Sequence, residues 1–223
     1  MKLKVLCACE ESQAVCKEFR KLGHEAYSCD IIECSGGHPE WHIQDDVLKH
    51  MDGWDLIIAF PPCTYLSGVG TRQYSLKCNS PEKVQARLAL RKDAFNFFMK
   101  IAEHNCKYIA IENPVGYINT HYRKPDQIIH PYYFGDPFQK RTCLWLKNLP
   151  VLEYTNVLEK PEPLYICKGE KCKGKKIGWV EGIKGTGNGK AGLAKARSKT
   201  FPGIARAMAE QWSKYIIEQE EKA

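Results

Sequence analysis

The sequence predicts an α/β protein with a doubly wound parallel sheet, and two features of the chain support this prediction. Apolar runs of strand length recur at residues 3–9, 54–60 and 107–113. Between these runs, apolar residues recur at the three- and four-residue spacing of amphipathic helices. In such sheets ligands bind beyond the carboxyl ends of the strands, so polar residues that follow a strand are the first candidates for a functional site.

The first three elements are predicted near the amino terminus. The run LKVLCAC at 3–9 predicts a buried strand, and a polar turn follows at residues 10–12. A helix then runs to Gly23, and EAYSC at 25–29 predicts a second strand that closes on Asp30. The residues expected to face inward from this helix are Val15, Phe19 and Leu22.

The next elements are a strand, a long helix and another strand. WDLIIAF at 54–60 predicts a strand, since its apolar run ends at a Pro-Pro pair. A helix is expected over 81–104, where Ser80 is a suitable N-cap and Pro81 fits the first turn. KYIAIEN at 107–113 predicts a further buried strand. The apolar face expected for the helix comprises Leu88, Ala94, Phe95, Phe98 and Ile101.

The rest of the chain changes character. Paired β segments are expected around 128–134 and 142–146, on either side of a Gly-Asp-Pro turn. Residues 150–199 are rich in Pro, Gly and Lys and predict a small irregular insertion. A final helix is expected to be capped by Thr200, with Pro202 in its first turn. Its inward face would comprise Ile204, Met208, Trp212 and Tyr215. The predicted units are a core at 1–149, the insertion at 150–199 and a C-terminal helix at 200–223 that packs back on the core.

The positive charge of the chain is concentrated in the insertion. The formal net charge is +7, and residues 168–199 contain nine Lys and one Arg against two Glu. Clustered cations release condensed counterions when they meet nucleic acid, so this stretch predicts an arm that contacts phosphates. The arm would use Lys173, Lys175 and Lys176. The alternative is a solvated loop without a partner.

Composition argues against a membrane protein and a disulfide scaffold. No apolar run approaches the roughly 18–20 residues that span a bilayer, and MKLKVLCACEES becomes polar too early for a signal peptide. We therefore expect a cytoplasmic protein with no membrane partner. The eleven cysteines are an odd number in a long chain, so most are expected to be reduced and structural. Cys167 and Cys172 have the spacing of half a metal site, but no second pair lies nearby and no metal is predicted.

Polar residues with catalytic potential follow the predicted strands. Asp30 closes the second strand, Cys63 follows the Pro-Pro pair, and Glu112 lies at the end of KYIAIEN. Gln139 and Arg141 lie in a late β segment. Each has an ordinary alternative, such as a structural thiol for Cys63 or a surface acid for Glu112. Their joint placement at strand ends favours one shared site.

Four segments resemble motifs of the cytosine carbon-5 DNA methyltransferases, and they occur in the family's order. PCTYLSGVG at 62–70 resembles the catalytic loop, in which Pro-Cys is followed by Ser and Gly at these spacings. Glu112-Asn113-Pro114 resembles the Glu-Asn-Val element, and Gln139-Lys140-Arg141 resembles the Gln-x-Arg-x-Arg element. Residues 200–212 are similar to the last motif, which completes the cofactor pocket. The resemblance covers residues 4–213 apart from the insertion, and so compact a member would suit a phage.

The resemblance implies a Rossmann-like methyltransferase sheet with helices on both faces, S-adenosylmethionine as cofactor and DNA as partner. Carbon 5 of cytosine is a poor nucleophile, so a thiolate adds first to carbon 6, and Cys63 is the implied nucleophile. Glu112 would hold a proton at ring nitrogen 3, while Asn113 would fix the loop. Arg141 would hold the base carbonyl or lower the thiol pKa, and Gln139 completes the implied catalytic set.

The residues implied to bind the cofactor and the substrate lie around the same strand ends. The cofactor set is Cys9, Glu11, Ser12, Asp30, Ile31, Asp46, Pro61 and Thr200, and the substrate set adds Ser67 and Gly70. Asp30 would accept from the ribose hydroxyls and Asp46 from the adenine amine, with Asp45 as a rival. Cys9, Glu10, Glu11 and Ser12 replace the family's Gly-rich turn. Glu10 and Glu11 would need to point away from the helix terminus for its amides to meet the methionine carboxylate. Cys143 stands where the second Arg is expected.

Several alternatives remain open on substrate and activity. Only about 50 residues are left for target recognition, so a short or degenerate DNA sequence is expected. The same chemistry on a free deoxycytidine nucleotide or RNA is one alternative. An exocyclic amino-methyltransferase is another, since Phe60-Pro61-Pro62-Cys63 partly resembles its Asp-Pro-Pro-aromatic motif without the leading Asp. A third is an inactive DNA-binding homologue. The sequence carries no signal for an oligomeric state.

Overall fold

The computed structural model describes residues 1–163, 165–170, 173–174, 176–177 and 200–222. The strands of the main sheet are β1 (Lys4–Ala8), β2 (Glu25–Asp30), β3 (His42–Gln44), β4 (Leu56–Ala59), β5 (Tyr108–Pro114), β6 (Gln127–Ile129) and β7 (Thr142–Lys147). A separate two-stranded sheet joins β8 (Tyr165–Ile166) to β9 (Lys176–Ile177). The α-helices are α1 (Ala14–Lys21), α2 (Pro81–Ala102), α3 (Ile118–His121) and α4 (Pro202–Glu220).

The seven strands form one mixed sheet in the order β3-β2-β1-β4-β5-β7-β6. Strands β1 to β5 are parallel, whereas β7 runs antiparallel to both of its neighbours. The prediction of a doubly wound parallel sheet is therefore wrong in the direction of β7, whereas the two segments expected to pair on either side of the Gly-Asp-Pro turn do pair, as β6 and β7. Residues 130–141 join β6 to the adjacent β7 without a crossover helix, and a strand reached by so short a connection runs antiparallel. Strand order reverses between β1 and β4, so a cleft opens beyond their carboxyl ends.

Helices cover both faces of the sheet, as the alternating pattern predicts. Side chains alternate along β1, so Val5 joins the core cluster of α1 and α4 whereas Leu6 joins that of α2. The first cluster is anchored by Phe19 and Trp212, and the second by Phe98. All five side chains are completely buried. The fold class expected from the sequence is thus confirmed.

The long helix and the strand pair differ from expectation in their bounds. The helix ends at Ala102, and Ser80 caps it by accepting from Lys83 N at 3.5 Å. Phe98 and Ile101 are buried as expected, whereas Leu88, Ala94 and Phe95 are half-buried. The segment expected as a strand at 128–134 is extended only at 127–129 and then forms a 3₁₀ turn at 131–133.

Two details of helix ends correct the sequence-based expectations. Leu22, expected to face inward, is 46% exposed, because α1 ends at Lys21 and Leu22 already belongs to the turn. Thr200 is not the cap of α4, since Phe201 holds the N-cap position without a side-chain hydrogen bond. The helix amide of Gly203 instead donates to Asp136 Oδ2 at 2.8 Å. The terminus is therefore closed from the β6–β7 connection, which fixes α4 against the sheet.

The start of the insertion is tied to the core. Trp212 Nε1 donates to Pro150 O at 3.0 Å, and Gln127 and Leu152 exchange two hydrogen bonds of 2.8 Å. Most of the basic stretch at 168–199 lies outside the described residues. Within the described part of the chain, no helix combines the length and the apolar character needed to cross a bilayer.

Candidate active site

Cys63 follows β4 and is half-buried in the cleft. Its carbonyl accepts from Leu66 N at 3.1 Å and Ser67 N at 2.9 Å, which turns the chain sharply after the Pro-Pro pair. Asn113, completely buried on β5, donates through Nδ2 to Pro61 O at 2.9 Å. The ends of β4 and β5 are thereby held together by a buried hydrogen bond.

The loop after Cys63 is hydrogen-bonded to the segment that follows β5. Gly68 N donates to Val115 O at 3.0 Å, and Tyr117 N donates to Leu66 O at 2.7 Å. Between these bonds, Ser67 forms a β-bridge with Gly116. A Cβ atom at Gly116 would lie 2.0 Å from Leu66 O, so only glycine permits this approach. The loop after Cys63 is therefore held by backbone contacts.

The polar group next to Glu112 is Lys140. Lys140 Nζ lies 3.8 Å from Glu112 Oε1, and the two side chains are only 14% and 17% exposed. Arg141, which the family resemblance places at the base or the thiol, is exposed. Neighbouring residues of an extended segment point to opposite sides, so only one of the two cations can face Glu112. Sequence reasoning missed Lys140, although it lies within the Gln-Lys-Arg motif.

Burial and two neighbouring charges are the largest effects on the pKa of the Cys63 thiol. Burial raises the pKa, the nearby Glu112 carboxylate raises it further, and the Lys140 ammonium lowers it. The resting site therefore favours the protonated thiol. Any change that removes the charge of Glu112 shifts the balance toward the thiolate.

A second cluster of polar groups lies at the carboxyl ends of β1 to β3. Cys9, just after β1, has a φ of 58°, and its pKa is raised by burial and by the Asp30 and Asp46 carboxylates. Asp30 Oδ1 accepts from Ile32 N at 3.2 Å, and burial raises the Asp30 pKa. The residue between them, Ile31, is 73% exposed. The cluster thus combines two carboxylates with an exposed apolar side chain.

Asp46 and its rival Asp45 have different surroundings. Asp45 accepts from Lys49 Nζ at 2.8 Å and lies 2.9 Å from His50 Nε2, and these contacts lower its pKa. Asp46 Oδ1 accepts from Leu48 N at 3.1 Å in a one-turn cap. The side chain of Asp45 is committed to its own turn, which leaves Asp46 as the better candidate of the pair for a ligand.

Glu10 does not point away from the N-terminus of α1. Its Oε1 accepts from Val15 N at 2.6 Å and its Oε2 accepts from Cys16 N at 3.2 Å. The side chain is only 4% exposed, and burial raises its pKa to about 7, against the opposing effect of the two amides. These amides are thus occupied by the protein's own carboxyl group and cannot meet the carboxylate of a cofactor.

Glu11 and Ser12 hold the loop that follows β2. Ser35 donates to Glu11 through both its backbone N–H, at 2.8 Å, and its hydroxyl. A Cβ atom at Gly36 would lie 2.6 Å from Ser12 O, so the two segments are in close contact. Both residues therefore shape the wall of the cleft beside Asp30.

The other predicted site residues are distributed as follows. Pro61 is buried, and Gln139, Thr200, Ser67 and Gly70 are half-buried. Gly70 N donates to Ser67 O at 3.1 Å, within a 3₁₀ helix at Gly68–Tyr74. Lys173 and Lys176 are exposed, whereas Lys175 lies outside the described residues.

Three further cysteines entered the sequence-based predictions: Cys143, Cys167 and Cys172. Cys143 is buried on β7, with Asn119 Nδ2 at 3.7 Å from its Sγ. Cys167 is disulfide-bonded, and Cys172 lies outside the described residues. In the part of the chain that the structure describes, no group of three or more His, Cys, Asp or Glu side chains is placed to hold a metal ion.

Arg87 and Arg91 on α2 contact the loop after Cys63. Sequence reasoning missed both residues. Arg91 Cζ lies 4.0 Å from the centre of the Tyr74 ring and 4.4 Å from that of Tyr117. Arg87 donates to Thr64 O at 3.3 Å, with its Cζ 5.0 Å from the Tyr65 ring. The only signal in the sequence is the four-residue spacing of the two arginines, which places them on one face of a helix.

The sheet order, with β7 antiparallel, defines a Rossmann-like α/β fold with its candidate site at the carboxyl ends of the strands. Among solved structures, the S. pombe Dnmt2 methyltransferase is 17% identical with a TM-score of 0.43, and the match covers 67% of this chain and 50% of that one. The Entamoeba histolytica methyltransferase EhMeth is 15% identical with a TM-score of 0.43, over 71% of this chain and 58% of that one. The chain thus spans only 50–58% of these two structures. No family model and no curated protein matches the sequence.

Proposed function

We propose that the chain is an S-adenosylmethionine-dependent methyltransferase that acts on carbon 5 of cytosine in DNA, with Cys63 as the nucleophile. One observation carries this proposal: a thiol, a carboxylate and an ammonium meet in one half-buried site, formed by the loop after β4, the end of β5 and the segment before β7. These groups are Cys63, Glu112 and Lys140. A thiol alone would fit a structural role, but its electrostatic coupling to two charged groups fits covalent catalysis.

The proposed chemistry assigns each group a task. The Cys63 thiolate forms a bond to carbon 6 of the ring, and the displaced electron pair makes carbon 5 nucleophilic. Glu112 holds a proton at ring nitrogen 3, which stabilises the charge that develops as sulfur adds. Lys140 favours the thiolate and keeps the site electrically balanced. After methyl transfer, water takes the proton from carbon 5, the electron pair of that C–H bond re-forms the double bond between carbons 5 and 6, and the bond from carbon 6 to the Cys63 sulfur breaks, which restores the thiolate.

The residues at the ends of β1 to β3 fit S-adenosylmethionine, which supplies an electrophilic methyl group when bound. Asp30 and Asp46 provide acceptors for hydroxyl and amine donors, and the exposed Ile31 provides an apolar surface for a ring. The fit differs at α1, where Glu10 already occupies the helix amides. The carboxylate of the cofactor would therefore need other donors than Val15 N and Cys16 N.

The alternatives differ from this proposal in ways that can be measured. An exocyclic amino-methyltransferase needs no thiol, so Cys63→Ser would leave it active. A nucleotide or RNA methyltransferase would use the thiol on another substrate. An inactive homologue would transfer no methyl group at all.

The test uses labelled S-adenosylmethionine, DNA and nucleoside analysis for 5-methylcytosine. We expect the wild-type chain to form this product and Cys63→Ser to form none, while Cys78→Ser, which removes an exposed thiol, stays active. DNA that contains 5-fluorocytosine should trap a covalent adduct at Cys63, because fluorine cannot leave as a proton does. Normal methylation by the Cys63→Ser variant would overturn the proposal.

A further inference from the structure

An aromatic cluster follows β6 at the same edge of the sheet as Cys63. We name His130, Tyr132, Tyr133 and Tyr154 the aromatic platform. The rings of Tyr133 and Tyr154 stack with centroids 4.4 Å apart and an interplanar angle of 28°. His130 lies 5.3 Å from Tyr132 and 5.4 Å from Tyr133. Tyr154 is 49% exposed, so one stacked ring offers a large open surface.

Backbone hydrogen bonds hold the platform in place. Leu158 N donates to Tyr132 O at 2.8 Å, and Asn156 N donates to Tyr133 O at 3.3 Å. The segment that carries Tyr154 therefore runs alongside the 3₁₀ turn at 131–133. Because both segments are fixed to each other, the exposed ring needs little ordering when it binds a ligand.

Positive charge lies next to the platform. Arg141 and Lys160 are both exposed, and both act on His130, whose pKa is lowered first by burial and then by these two cations. Lys160 also acts on Tyr133. Glu159 is adjacent to Lys160 in the sequence and offsets part of this charge. A neutral imidazole and stacked phenol rings flanked by two cations match the base and phosphates of a nucleotide.

The platform is continuous with the candidate active site. Ile129, the last residue of β6, pairs with Thr142, and Thr142 pairs with Pro114 at the end of β5. His130 and Arg141 therefore begin where the Glu112-Asn113-Pro114 segment ends. If the target base of a polynucleotide lies at Cys63, a neighbouring nucleotide of the same strand would lie on this surface.

We propose that the aromatic platform, together with Arg141 and Lys160, binds an unstacked base and the phosphates of the DNA strand adjacent to the target cytosine. The proposal rests on the proposed function and deepens it, since the substrate would be a strand and not a free nucleotide. Base–aromatic stacking tolerates any sequence, because every base has a π face. The surface would thus contribute affinity without sequence readout.

Binding is measured by fluorescence anisotropy with a labelled single DNA strand of about 12 nucleotides, within the site sizes typical of such grooves. Tyr154→Ala should weaken binding roughly tenfold or more, whereas Tyr154→Phe, which keeps the ring, should bind within about twofold of wild type. Arg141→Gln and Lys160→Gln should each reduce the salt slope of binding by about one. Lys214→Gln removes an exposed cation of α4 and should leave the slope unchanged.

The outcomes separate this inference from the proposed function. If the strand binds but no methyl group is transferred, the proposed function is wrong and the platform is still supported. Methyl transfer to DNA with the same KM in wild type and Tyr154→Ala would overturn the platform alone, as would equal affinity for the strand and for deoxycytidine monophosphate. Preference for an RNA strand over DNA would also overturn it. If circular dichroism shows that Tyr154→Ala is unfolded, the double variant Arg141→Gln, Lys160→Gln is used instead. An unchanged salt slope of binding in that variant would overturn the platform.

Discussion

Lys140 Nζ lies 3.8 Å from Glu112 Oε1, with both side chains largely shielded from water. Both groups act on the Cys63 thiol, with opposite signs. The pair therefore sets the electrostatic environment of this thiol. Removing the charge of Glu112 would leave the cation unopposed and favour ionisation of the thiol.

Substitutions at the pair should move the reactivity of Cys63 in opposite directions. Lys140→Gln should shift the pH midpoint of Cys63 alkylation by iodoacetamide upward, and Glu112→Gln should shift it downward, each by about one pH unit. Peptide mass spectrometry measures the modification, in a Cys78→Ser background that removes an exposed thiol. Lys214→Gln is the matched control and should leave the midpoint unchanged. If the pH midpoint shifts in the same direction in both variants, Lys140 and Glu112 do not act on the thiol with opposite signs.

Glu10 should make stability depend on pH. Burial raises its folded-state pKa from 4.5 to about 7. The folded state therefore holds the proton more tightly than the unfolded state, so this contribution to stability is complete below pH 4.5 and is lost as pH rises to about 7. The loss is on the order of 3 kcal/mol.

The variant Glu10→Gln mimics the protonated carboxyl and should remove this loss. Urea denaturation between pH 5 and about 8 measures it, and the variant should equal or exceed wild type at the upper end. Glu33→Gln removes an exposed carboxylate and should follow the wild-type curve. A wild-type stability that rises with pH over this window, by an amount that Glu10→Gln abolishes, would show that the sign is wrong.

Gly116→Ala should disrupt the loop that carries Cys63. The added Cβ would lie 2.0 Å from Leu66 O and 2.7 Å from Gly68 N, so the backbone has to move. We expect a loss of about 1–3 kcal/mol in the free energy of unfolding and loss of the 5-fluorocytosine adduct. Gly70→Ala is the control, because its nearest contacts at 3.4 and 3.7 Å are ordinary. Equal stability of the two variants would refute the close approach.

Arg91→Met should loosen the loop after Cys63 while keeping the length of the side-chain stem. Loss of the cation over the Tyr74 and Tyr117 rings should destabilise the loop by about 0.5–2 kcal/mol. Limited trypsin digestion measures this as faster cleavage after Arg72 and Lys77. The neighbouring exposed Lys92 provides the control Lys92→Met, which should be cleaved at the wild-type rate. If wild type, Arg91→Met and Lys92→Met are digested at the same rate, Arg91 does not hold the loop.

The strands and helices of the core were predictable because local patterns determine them. Apolar runs located β1, β4 and β5, and the Ser-Pro pair at 80 and 81 located the start of α2. The direction of β7 was not predictable from its own residues, because it depends on the connection from β6. The cap of α4 was missed for a similar reason, since it comes from Asp136, 67 positions before Gly203.

The candidate site was also predictable only in part. Cys63 follows β4, and Glu112 and Asn113 lie near the end of β5, so their meeting at one edge could be predicted from strand order. The choice between Lys140 and Arg141 depends on which side chain of an extended segment turns inward, and composition does not encode that. The negative charge of Glu10 disfavours burial, so its place in the core was not predictable from the residue type. The helix amides stabilise its carboxyl group there.

The hydrogen bond from Asn113 to Pro61 and the backbone bonds from Gly68 to Val115 and from Tyr117 to Leu66 join the loop around Cys63 to the end of β5 and the segment that follows it. The thiol and the carboxylate therefore belong to one rigid wall of the cleft. A bound base therefore has to fit this wall as it stands. A substitution that breaks one of these bonds should displace the thiol and the carboxylate relative to each other and reduce methyl transfer.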